Sequence, residues 1–130
     1  MMADYGYTVE VDADYDEAVI RTRVALRSEG FSILTESHVG GLLGPQSGSD
    51  RQYLIMGAWS TGVERSPDPE IRIAMNLPCN VVVQESGPRA MVAALDPFEQ
   101  IDPTDSDSVR AAESARDALG RAFTKISAGA

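Results

Sequence analysis

Asn76-Leu77-Pro78-Cys79-Asn80-Val81-Val82-Val83, with Met91 to Pro97 close behind, is the stretch from which the architecture is read. It holds the only cysteine, a proline that excludes helix, and the densest β-branched tract of the chain. Ile71 to Met75 leads through Leu77-Pro78 into a strand over Asn80 to Glu85. Ser86-Gly87-Pro88-Arg89 then turns the chain into a second strand over Ala90 to Leu95, and so short a connection predicts a hairpin. Asp96-Pro97 ends it.

Upstream, Tyr5-Gly6-Tyr7-Thr8-Val9-Glu10-Val11 alternates with period two and predicts a strand with Tyr7, Val9 and Val11 on one face. Asp14 with Glu17 three residues later has the spacing of a capping box. The helix that follows is expected from about Tyr15 to Glu29, with Gly30 as its left-handed terminator. Tyr15, Ala18, Val19, Thr22, Ala25 and Leu26 share one side of it, and Ile20 and Val24 lie off that side. Phe31 to Ser37 predicts a second strand, and His38 to Gln52, rich in glycine and serine, a loop. Tyr53 to Trp59 is nearly continuous in hydrophobicity and predicts a central strand. Downstream of the hairpin, acids around Asp102 and Asp105 precede a final helix over about 105–127, with Ala112, Ala115, Leu119, Ala122 and Ile126 at spacings of three and four.

At 130 residues the chain fits a single domain able to bury a core without staples. One cysteine excludes an internal disulfide. The formal charge of −9 opposes nucleic-acid backbones and anionic lipid surfaces, so neither is an expected partner. The opening Met1-Met2-Ala3-Asp4-Tyr5 lacks the pattern of a secretory signal, and no apolar run approaches the ~20 residues of a membrane span. The expected location is cytoplasmic.

Several short motifs together resemble the bacterial family called domain of unknown function 302. They are Tyr15-Asp16-Glu17-Ala18-Val19, Glu29-Gly30-Phe31, Leu34-Thr35-Glu36, Tyr53-Leu54-Ile55-Met56-Gly57-Ala58, Leu77-Pro78-Cys79-Asn80-Val81-Val82-Val83 and Ala94-Leu95-Asp96-Pro97. The resemblance covers about residues 5–97. It implies a two-layer α+β domain, helices packed on one face of a mostly antiparallel sheet, and a homodimer. It brings no established activity. Trp59 stands where the family often has a second cysteine, and Gly40-Gly41-Leu42-Leu43-Gly44-Pro45 where it usually has a basic helix.

Two residues have the chemistry for catalysis, Cys79 and His38, and each has a plain structural reading beside it. Cys79 is either a small buried hydrophobe or a thiol positioned at a strand end. His38, the only histidine, is either a surface residue or one half of a Cys-His pair. Asp12, Asp14 and Asp16 alternate like the start of a calcium loop, but Glu17 replaces its glycine and Arg23 its bidentate acid. One histidine and one cysteine make no zinc cage, and the glycine-rich loop lacks P-loop spacing and lysine, so neither metal nor cofactor is expected. Tyr53, Trp59, Cys79 and Asn80 are the candidate wall of a ligand site. The expectation is a homodimeric module binding a small apolar ligand or a partner protein, and the alternative is a thiol-dependent redox or sulfur-handling protein using Cys79.

Overall fold

The computed structural model describes residues 2–3, 6–40, 51–60, 79–101 and 103–128. In chain order they form β1 (Met2–Ala3), β2 (Gly6–Val11), α1 (Tyr15–Ser28), β3 (Phe31–Gly40), β4 (Gln52–Ser60), β5 (Cys79–Ser86), β6 (Arg89–Leu95), a 3-10 turn (Pro97–Gln100) and α2 (Ser106–Ala128). All strand pairs are antiparallel, in the order β1-β2-β6-β5-β4-β3. Two helices on an antiparallel sheet make the α+β domain that the family resemblance implied.

Local chemistry accounts for the element ends. The Asp14 carboxylate accepts the Glu17 amide at 2.9 Å and caps α1. Gly30 follows with φ 87°, the left-handed position that closes a helix most cheaply with glycine. Ser86 pairs with Arg89 across Gly87-Pro88, and Gly87 at φ 60° supplies the positive φ that a two-residue hairpin requires.

Tyr7, Val11, Leu54, Met56, Ala58, Val81, Val83, Ala90, Val92 and Ala94 from the strands meet Ala18, Leu26, Leu119, Phe123 and Ile126 from the helices in one core. The period-two faces of four strands and the 3.6-period face of each helix therefore converge. α1 lies across β3 to β6, and α2 lies against α1 and β2. The Tyr7 ring packs on Phe123 with centroids 5.5 Å apart, and its hydroxyl donates to the Arg116 carbonyl at 2.8 Å. Glu29 ties the helices together from outside through Arg121 and Lys125, each at 2.6 Å.

Three sequence expectations need correction. β3 runs on to Gly40 instead of stopping at Ser37, because His38 to Gly40 pair in register with Leu54 to Gln52. A neighbouring strand recruits this polar segment, which its own composition marked as loop. His38 is consequently a strand residue. β4 is interior, but it lies next to the edge strand β3, and the middle of the sheet is β5 with β6. Cys79 itself opens β5, one residue before the expected start. The readings of 41–50 and of Ile71 to Pro78 lie outside the described residues.

Candidate functional site

Sheet register decides which candidate residues can meet. Cys79 pairs with Ala58, and it shares its parity with the buried Val81 and Val83. It packs against the core beneath the helices. Burial pushes its thiol up to about 11, because a thiolate there would lose its hydration. A nucleophilic cysteine needs the opposite environment, a cationic or dipolar neighbour that favours the anion.

His38 cannot supply that help. It pairs with Leu54, whereas Cys79 pairs with Ala58 on the far side of the same strand β4. Four residues of strand rise separate the two positions by roughly 13 Å along β4, and two inter-strand steps add about 10 Å across it. The Cys-His pair weighed from sequence does not form. The imidazole instead meets Tyr15 edge-on, centroids 5.7 Å apart, with Nε2 3.1 Å from the Tyr15 hydroxyl and 3.4 Å from Gln52 Oε1.

Near Cys79, the buried end of β6 carries a polar cluster that the sequence did not single out. Asp96 receives Arg116 in a fork, Nη2 to Oδ2 at 2.6 Å and Nε to Oδ1 at 3.2 Å. It also accepts the Phe98 amide at 3.0 Å, and the Arg116 guanidinium lies 4.1 Å above the Phe98 ring. Burial works against the Asp96 charge, yet the Arg116 and Phe98 hydrogen bonds together hold its carboxyl below the usual aspartate value. The arrangement anchors α2 to the sheet. Asp96 and Arg116 lie twenty residues apart on different elements, so no local spacing announces them.

The other three wall candidates face the opposite way. Tyr53, Gly57, Trp59 and Asn80 alternate with the core residues Leu54, Met56, Ala58 and Val81, which places them on the sheet face away from the helices. Tyr53 is buried there, and its hydroxyl accepts from Gln84 Nε2 at 2.9 Å. Register adds Ile55, Val82 and Ala93 as one cross-strand row, with Tyr53, Gln84 and Met91 as the next. Ile55, Trp59, Val82, Met91 and Ala93 are all half-buried. From β3 to β6 the described strands place one charge on this face, Arg89, and it pairs with Glu10 at the β2 margin at 2.9 Å.

No group of three or more His, Cys, Asp or Glu side chains among the described residues is placed to hold a metal ion. No helix among them is long and apolar enough to cross a membrane. Curated proteins offer no match to the chain. Among solved structures, the crystal structure of an uncharacterised conserved DUF302 protein from Bacillus stearothermophilus is similar, with a TM-score of 0.73 at 21% identity over 95% of this chain and 99% of that one. At that identity the likeness speaks for the fold. The family model described as domain of unknown function DUF302 matches residues 7–126, running through α2 as well as the sheet, and the chain belongs to that family.

Proposed function

We propose that this protein is a binding module, working as a homodimer, that receives a small apolar ligand or an apolar partner surface on the sheet face turned away from its helices. One observation carries the reading: in a chain that is 24% charged, the strands β3 to β6 present Tyr53, Ile55, Trp59, Val82, Met91 and Ala93 there, with Arg89 as their single charge. Depletion of charge together with aromatic and methionine side chains is the composition of an interface centre. Of the four residues first assigned to the site, Tyr53, Trp59 and Asn80 belong to this surface, and Cys79 supports the fold from behind it. The redox alternative draws no support from a thiol whose burial disfavours its anion.

Trp59 is the only tryptophan, so its fluorescence reports this face alone. Titration with 1-anilinonaphthalene-8-sulfonate is expected to shift Trp59 emission and to transfer energy to the dye. Val82→Glu, which places a charge in the centre of the face, is expected to weaken that binding at least tenfold and leave the far-UV spectrum unchanged. Equal dye affinity in both proteins would refute the assignment of the site. Sedimentation of a 13.9 kDa monomer at all concentrations would refute the dimer.

A further inference from the structure

α1 buries Tyr15, Ala18, Val19, Thr22, Ala25 and Leu26, and on its opposite crest, roughly 200° round the helix from Thr22, stand Ile20 and Val24. They are 53% and 55% exposed. A single aliphatic side chain in water needs no explanation, but these two are neighbours one turn apart. Glu17 and Arg27, also exposed, continue the same line. Glu17, Ile20, Val24 and Arg27 thus follow one another at spacings of three, four and three, the stripe along which helices pair.

That line reads acid, apolar, apolar, base, and it is complementary to its own reverse. Laid antiparallel on itself about a two-fold axis level with Thr22, it brings Ile20 onto the partner's Val24 and Glu17 onto the partner's Arg27, each contact made twice. A parallel pairing would set acid on acid and base on base. The chain carries a charge of −9, so two copies repel each other on most approaches. Around this crest the charges balance, Asp16, Glu17 and Glu36 against Arg21, Arg23 and Arg27. Arg23 is held by Glu36 at 2.7 Å and Arg21 by Glu17 at 3.4 Å, so the two arginines that flank the axis are compensated within their own chain.

We propose that the homodimer forms through α1, crest to crest and antiparallel, with Ile20 and Val24 as its apolar centre. This rests on the homodimer proposed above and assigns its contact. From Glu17 to Arg27 the helix rises only about 15 Å. A contact of that length buries less than the ~1,200 Å² at which standard interfaces begin, so the dimer is weak and concentration-dependent. It leaves the opposite sheet face of both copies open to a ligand.

Sedimentation at concentrations up to millimolar tests the contact. The wild-type chain is expected to pass from monomer to dimer, and Ile20→Glu to weaken that dimer at least about tenfold with an unchanged far-UV spectrum. Glu17→Arg and Arg27→Glu each turn two attractive pairs into repulsive ones and are expected to weaken self-association by about tenfold. Mixed one to one, these two variants again set opposite charges at both ends of the line, and the mixture is expected to dimerise about as tightly as the wild-type chain. A wild-type dimer untouched by all three substitutions, or a mixture no tighter than its components, overturns the α1 contact and leaves the homodimer to another surface. A wild-type chain that stays monomeric throughout overturns both.

Discussion

Raising the pH tests the placement of Cys79 more sharply than replacing it does. Its thiol is pushed from 9.0 to about 11 by burial, so the native state holds this proton more tightly than the unfolded chain. A group whose folded value is raised contributes its stability fully below the unfolded value, and loses it as pH climbs towards the folded one. The window here is pH 9 to 11. At pH 10.5 the ratio of the two ionisation polynomials corresponds to a loss of about 2 kcal/mol relative to neutral pH, a figure good to its order of magnitude. Tyr7 and Tyr15, both raised chiefly by burial, destabilise the fold in the same direction. Cys79→Ala removes the thiol and keeps the tyrosines, so the difference between the proteins isolates Cys79.

Urea unfolding followed by far-UV circular dichroism at pH 7.5 and 10.5 provides the four stabilities. At pH 7.5 the variant is expected to be about 1 kcal/mol weaker from the small cavity it leaves. At pH 10.5 it is expected to overtake the wild-type protein. The same burial predicts that iodoacetamide modifies native Cys79 at pH 7.5 at least about 100-fold more slowly than it modifies the unfolded chain, because the thiolate is scarcer by that factor. Parallel loss of stability in both proteins, or alkylation of the native thiol at the unfolded rate, would refute the buried-thiol reading and reopen the redox one.

Two further substitutions probe the join between α2 and the sheet. Phe123→Ala empties a fully buried site against the Tyr7 ring and is expected to cost about 3–5 kcal/mol in urea unfolding, enough to leave a domain of ordinary stability marginal. Asp96→Asn keeps the size of the side chain but loses the charged fork to Arg116, for an expected cost of about 1–3 kcal/mol at pH 7. Because the Asp96 carboxyl is held below its ordinary value, its contribution is present above pH 3.8 and disappears as pH falls through the folded value. The Asn variant should therefore show a shallower acid limb in the same assay, and an unchanged limb would exclude Asp96 as its cause.

The helices and the hairpin were legible because each repeats a short-range signal: Asp14 and Gly30 bracket α1, and Gly87-Pro88 separates two runs rich in apolar residues. The end of β3 was not legible. His38, Val39 and Gly40 sit at the start of a segment whose composition reads as loop, and their conformation comes from pairing with Leu54, Tyr53 and Gln52. The Asp96–Arg116 fork and the Tyr15–His38 contact are hidden for a related reason. Each joins elements whose separation in sequence carries no period, so the chain must be folded before the partners are known.

The candidate site shows the same limit in its purest form. Cys79 shares the parity of Val81 and Val83, and their burial in the structure chooses between its two readings by placing it on the core face of β5. The sequence does not choose the side of Trp59 either. In β4 both sets of alternating residues are apolar, Leu54, Met56 and Ala58 on one face and Tyr53, Ile55 and Trp59 on the other. Either set could have met the helices. A shift of one residue in the β4–β5 pairing would exchange the faces and bring Trp59 beside Cys79, as a single wall containing both requires. The observed pairing of Ala58 with Cys79 and of Met56 with Val81 excludes that wall. What one strand's double hydrophobicity left open is thus the choice between a thiol chemistry and a binding surface. The register spends Cys79 on the core and turns the tryptophan outward, the placement on which the proposed binding surface rests.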